Sequence, residues 1–193
     1  MAKTLADIRF TVERDTGQLE NADIVIWCND CNTDIGTAIN VPSATPYQIA
    51  ITTTDLEYEL PPDLKEINRL WLQSDYDAGI DREIRYKYRI YNGHIQFPLP
   101  FPIIDTLNID YYKFLTFFET IDDEIDFADR YVTVYTAYCT MRYYLLPSTQ
   151  QTLGEAVARR NAERAAGSYQ MAKNQVIQGY SFNNPDLAIR ERW

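Results

Sequence analysis

The sequence predicts an α+β fold: a helical bundle, two helices contributed by each end of the chain, with a small antiparallel β-sheet inserted between them. Three observations carry that expectation. Apolar residues recur at helical spacing near both ends of the 193-residue chain. The middle switches to alternation with a period of two, and Asn92-Gly93 sits between two such runs, as a tight hairpin turn requires. The expected division is residues 1–46 and 115–179 for the helical body, 47–114 for the β insert, and 180–193 for an extended C-terminal tail.

The first helix starts at Thr4, where Asp7 three residues on can complete a capping pair; it buries Leu5, Ile8 and Val12 and ends at Gly17. The second opens near Asn21 and places Ile24, Trp27, Cys31, Ile35 and Ala38 on one stripe, with Asp30 and Asp34 off it. Residues 40–46, with Pro42 and Pro46, break the helical pattern. Next, Tyr47, Ile49 and Ile51 alternate with polar or small residues, and Leu56, Tyr58 and Leu60 alternate with Glu57 and Glu59. The two runs predict a hairpin with one wet face. A further strand is expected within residues 65–73, then a polar loop over 74–79. Residues 86–114 supply a strand, the Asn-Gly turn, a returning strand, a bend enforced by Pro98, Pro100 and Pro102, and a third strand carrying Leu107, Ile109 and Tyr111. These three strands are expected to form one small sheet.

Six acids against Arg130 give residues 119–130 a local charge of −5, the mark of a surface segment. Asp126 is expected to cap a third helix with Phe127, Tyr131, Val134, Tyr138, Met141 and Leu145 on its apolar stripe. Residues 150–178 predict one alanine-rich helix, roughly 40 Å long at about 1.5 Å per residue. Its expected buried positions are Leu153, Val157, Ala165, Tyr169, Ala172 and Val176, and Gly179 is expected to stop it.

A formal charge of −10 argues against binding to nucleic acid through phosphate contacts, although an acidic wall suits a conduit through which DNA slides. Three cysteines do not make a secreted disulfide framework, so folding in a reducing cytoplasm is expected, and no stretch is apolar enough to span a membrane. Cys28 and Cys31 have the spacing of a redox dithiol or half a zinc site. Only Cys139 and the single His94 remain as further ligands, and the pair lies inside a helix, so packed thiols are the more economical expectation. No nucleophile elbow, phosphate loop or HExxH pair is present, so neither catalysis nor a cofactor nor a metal is implied. Arg159, Arg160 and Arg164 could meet an acidic partner, while alternation with Glu155 and Glu163 favours ordinary pairing along the helix. Fifteen tyrosines suit half-buried strands and wet interfaces.

Taken as a series, these segments resemble the head-to-tail adaptor (connector, or head-completion) proteins of tailed bacteriophages. The resemblance runs over residues 4–178, through TLADIRFTVERDTG and NADIVIWCNDCNTDI, LEYELPPDLKEINRLWL, the tyrosine-rich hairpin ending in prolines, TLNIDYYKF, DDEIDF and RYVTVYTAYCTMRYYL, to the polar-alanine helix. It implies a structural protein without enzymatic activity, a homo-oligomeric ring of commonly twelve subunits in the virion neck. Such a ring has the portal protein above it, a tail, nozzle or stopper protein below it, and genomic DNA passing through. In that setting Tyr180, Phe182, Leu187, Ile189, Arg190, Arg192 and Trp193 are expected to dock on the portal or a neighbouring subunit. Tyr86, Tyr88, Tyr91, Arg159, Arg160 and Arg164 become candidates for contact between subunits. Another ring-forming neck or tail-tube protein, a soluble module whose β insert captures a ligand, and a small redox protein using Cys28 and Cys31 are the alternatives.

Overall fold

The computed structural model describes residues 3–80, 84, 87–126 and 128–182, the side chains of 181 and 182 excepted. It is a mixed α+β structure with small antiparallel sheets, and it divides into two compact units: Met1–Ile39 together with the chain from Leu115, and Asn40–Phe114.

The first unit is helical. Helices α1 (Leu5–Asp15) and α2 (Asn21–Gly36) form where the periodicity placed them, and Leu5, Ile8, Val12, Ile24, Trp27, Cys31 and Ile35 are buried. The N–H of Thr4 donates to Asp7 Oδ2 at 3.1 Å, so the expected capping carboxylate is in place. The acidic segment does more than cover the surface. Its carbonyls at Asp123 and Ile121 accept the N–H groups of Leu5 (3.2 Å) and Ala6 (2.8 Å), donors that the first turn of α1 cannot satisfy internally. Asp126 does not cap a helix: its carboxylate accepts the N–H of Thr116 at 2.7 Å. A 3₁₀ turn, Asp129–Tyr131, precedes α4 (Thr133–Leu145) instead.

α4 buries Val134 as expected, but its other buried residues are Tyr135 and Cys139 in place of Tyr138 and Met141, and Leu145 is half exposed; Phe127 lies outside the described residues. The reason is packing on several sides. α4 touches α1, α2 and the long C-terminal helix, so its tyrosines are shared between neighbours and one stripe does not describe it. The long helix is itself broken: α5 (Pro147–Leu153) ends at Gly154, whose φ of 83° interrupts the run, and α6 (Glu155–Phe182) starts a new phase. Leu153 and Val157 are therefore exposed, and the buried face of α6 is Ala158, Ala162, Ala165, Tyr169, Ala172 and Val176. Four alanines on that face let α4 approach closely, with Tyr138 and Tyr169 meeting edge to face at 5.0 Å between ring centroids. Gly179 does not end the helix. It lies inside α6 where Tyr131 rests against the backbone, and Tyr180 continues the helix, its ring 5.6 Å from that of Tyr131. The expected extended tail therefore cannot start at residue 180.

In the second unit β7 (Asp105–Lys113) is the hub. β4 (Leu64–Leu72) pairs along one of its edges, and β1 (Val41–Pro42) and β2 (Tyr47–Ile51) share the other, all antiparallel. A second sheet has the order β3-β6-β5, from β3 (Glu57–Glu59), β6 (His94–Gln96) and β5 (Arg89–Tyr91). Three expectations fail here. The runs at 47–51 and 57–59 do not pair as a hairpin, because Thr52 accepts the N–H groups of Asp55 (3.0 Å) and Thr54 (3.3 Å) and the two strands join different sheets. Likewise the third strand of residues 86–114 leaves the hairpin and centres the other sheet, and the polar loop after β4 begins as a short helix, α3 (Gln73–Asp77). One apolar core joins the sheets: Ile51, Tyr58, Leu60, Leu70, Ile95, Phe97, Phe101, Leu107 and Ile109 are all buried in it.

Candidate functional site

The three-stranded sheet and the proline-rich bend after it carry several of the exposed apolar side chains of the second unit. Asn92 (φ 48°) and Gly93 (φ 73°) supply the two left-handed residues of a type I′ turn, so β5 and β6 form the expected hairpin. The pairing places Tyr58, Ile95 and Ile90 on one face, the side of the core, and Glu57, Glu59, His94, Gln96, Arg89 and Tyr91 on the other. Ile95 is fully buried, yet its neighbour Ile90 is 48% exposed. The core runs out at β5. Tyr91 is 62% exposed on the opposite face, and Leu99 (75%) and Ile104 (79%) project from the proline-rich bend.

At the open end of this sheet lies a cleft of about 530 Å³ lined by Leu56, Tyr88, Phe97 and Pro98, with Glu57, Lys87, Arg89 and Gln96 as its polar members. Tyr88 packs against Phe97 at 6.3 Å between centroids, which holds the wall of the cleft. Tyr88 thus lines the cleft, while Tyr91 is exposed on the opposite face of the sheet. Tyr86 lies outside the described residues. Sequence reasoning missed Leu56, Ile90, Leu99, Ile103 and Ile104, although an apolar residue between prolines, as at Leu99, is a signal of exposure that could have been used.

Arg159, Arg160 and Arg164 are exposed together on α6, in the helical unit, and Arg159 pairs with Glu163 at 3.3 Å as the i,i+4 spacing foretold. Of the tail candidates, Tyr180 is half-buried beside Tyr131. Leu187, Ile189, Arg190, Arg192 and Trp193 lie outside the described residues, as does the side chain of Phe182.

Cys28, Cys31 and Cys139 are free and fully buried. Cys28 and Cys139 sit 3.8 Å apart, sulfur to sulfur, and this contact together with burial pushes the Cys139 thiol well up; burial, and then the nearby Cys28, does the same to Cys31. The arrangement keeps all three sulfurs out of reach and Cys31 and Cys139 protonated, the opposite of an activated thiolate. Among the described residues no group of three His, Cys, Asp or Glu side chains could hold a metal ion. Nor is any described helix long and apolar enough to cross a membrane.

A second polar cluster ties α2 to α6. Asp34 accepts Lys173 Nζ at 2.8 Å and the Tyr169 hydroxyl, and those two hydrogen bonds hold its carboxyl below the ordinary range. Its partners satisfy one another, so it reads as a clamp between helices.

No protein-family model matches the chain, and no curated protein matches its sequence.

Proposed function

We propose that the chain is a structural subunit of a ring in the neck of a tailed phage, in the manner of the head-to-tail adaptor proteins that its series of segments resembles. In this reading the helical unit is a bundle that forms the rigid body of each subunit, and the ring lies in the virion between the portal and a tail, nozzle or stopper protein. About twelve copies surround the passage of the genome. The observation that carries the proposal is a set of exposed apolar side chains on one small sheet and the bend that follows it: Ile90 and Tyr91 on the two faces of β5, and Leu99 and Ile104. Apolar side chains concentrated at a sheet edge mark a surface made to be covered. The charge of −10 supports a channel that repels phosphate and lets DNA slide.

The test is assembly. Purified chain, alone at high concentration and mixed with portal complexes from the same particle, should give ring-shaped particles by electron microscopy and a matching mass. A chain that stays monomeric in both settings refutes the proposal. The cleft of about 530 Å³ beside Tyr88 and Phe97 favours a second reading, a module that captures a small or peptide ligand. A monomer whose Trp and Tyr fluorescence shifts on titration with a ligand library would move the conclusion there.

A further inference from the structure

The three-stranded sheet carries opposite charges on its two edges. In the order β3-β6-β5 no strand among the described residues lies outside β3 or β5. β3 presents Glu57 and Glu59, and β5 presents Arg89, with Lys87 two residues before it; all four are exposed. Charged side chains on an edge strand ordinarily keep it from pairing with its like. Two β3 edges side by side bring four carboxylates together, whereas β3 and β5 complement each other.

The backbones of the two edges fit as the charges do. The N–H of Phe97 donates to Leu56 O (2.9 Å) and the N–H of Leu60 donates to Gly93 O (2.8 Å), so residues 56, 58 and 60 bond across the seam to residues 97, 95 and 93. By alternation the N–H and C=O groups of Glu57 and Glu59 point outward from β3, while those of His94 and Gln96 turn to Tyr91 and Arg89 of β5. Ile90 then has its own pair on the outer side of β5. In a parallel pair an outward-pointing residue bonds to the two neighbours of the residue opposite it. So placed, Ile90 bonds to Glu57 and Glu59 of a second copy and stands opposite Tyr58, core face beside core face. Arg89 meets Glu57 and Tyr91 meets Glu59 on the other face, while Tyr88 meets Leu56, which is 44% exposed. Arg89 Nε donates to Gln96 Oε1 at 2.5 Å, and the guanidinium has further N–H donors for a carboxylate. An antiparallel pairing fails, because it sets Ile90 directly against a glutamate and joins the core face of one sheet to the polar face of the other.

We infer that the β5 edge of one copy pairs in parallel with the β3 edge of the next, Ile90 opposite Tyr58 and Arg89 opposite Glu57. This rests on the ring reading and names a contact between its subunits. The two edges differ, so the contact runs head to tail, and repeated around a closing rotation it makes a ring. Three residues a side form a short seam, which the ring repeats at every boundary between subunits.

Two full-length variants, Glu59→Cys and Tyr91→Cys, test it when mixed under mild oxidation with and without portal complexes, the three native thiols being buried. Within one copy β6 separates those positions by two strand spacings, about 10 Å, beyond the reach of a disulfide. A disulfide between the two variants, absent from either alone, is expected. Arg89→Glu should weaken self-association about fivefold, as one exposed ion pair turned repulsive implies, and Glu57→Arg in the same chain should restore it. Rings that form without the mixed disulfide and withstand Arg89→Glu overturn the edge pairing and leave the ring reading standing. A disulfide within either variant alone puts like edges together and also overturns the inference. If the native chain assembles in neither setting and no disulfide forms, both readings fall.

Discussion

Gly179 shows how a single position can be decided by its neighbour. Alanine in a helix is better than glycine by about 1 kcal/mol, so propensity alone predicts that Gly179→Ala stabilises. A Cβ at that point would drive into the Tyr131 ring, which Tyr180 flanks at 5.6 Å and the Arg130 guanidinium covers at 4.7 Å, so the ring has little room to yield. Overpacking costs about 1–3 kcal/mol and wins. The expected outcome is a lower urea midpoint for Gly179→Ala, and a gain for the same change in a Tyr131→Leu background; stabilisation in both would show that the ring swings clear. Tyr135 is a second case. Its hydroxyl donates to Asn32 Oδ1 in a buried site, so Tyr135→Phe should cost about 1–3 kcal/mol by leaving that acceptor unpaired, read from the same unfolding curves.

Among the elements, the break between α5 and α6 is the most informative. Residues 150–178 have the composition of one helix, yet Gly154 adopts φ 83° and ψ 137°, a conformation that L side chains rarely adopt. α5 is thereby free to pack on α4 and α6. Gly154→Ala is expected to lose about 1–3 kcal/mol, or to merge the two helices and raise the helical circular dichroism signal at the expense of that packing. Unchanged stability and unchanged signal would show that the bend is not held in place. The hairpin of β5 and β6 is the converse case, since Asn92-Gly93 encodes its turn locally and no distant contact is needed to choose it.

For the whole molecule, charge and burial set a pH window. Lys173 and Tyr169 hold the Asp34 carboxyl low, and the N–H groups of Thr120 and Glu119 do the same for Asp123. Groups with lowered folded values contribute stability above their unfolded range, near 4, and lose it as pH falls. Cys139 and Cys31 are shifted up, and burial raises Tyr135 as well. The folded state then holds those protons more tightly, so stability falls as pH rises past the unfolded values, about 8.5 for thiols and about 10 for tyrosine. Urea midpoints should form a plateau between roughly pH 5 and 8 and decline on both sides; a flat profile from 8 to 10 would mean that the thiols titrate freely. On the proposed ring, Tyr91→Ala should leave the unfolding midpoint within about 0.5 kcal/mol of the parent, as exposed positions do, while reducing assembly. Equal loss of both would count against an interface at β5. Because Tyr180 belongs to α6, truncation of the tail should begin after Phe182.

Local chemistry settled much of this protein in advance. The helices at residues 5–15 and 21–36, the turn at Asn92-Gly93 and the strands around it follow from periodicity, capping residues and left-handed turn positions, all of which act over a few neighbours. Those same rules could name Tyr88 and Tyr91 as surface tyrosines but could not tell which strand they would flank. Strand partners were decided only in three dimensions: alternation says which face of a strand is apolar and nothing about which sheet it joins. Hence β3 left β2 for β6, and β7 left its own hairpin to centre the other sheet. The buried positions of α4 and the burial of Ala158 and Ala162 were settled the same way, because a helix packed on several sides takes its buried stripe from its neighbours.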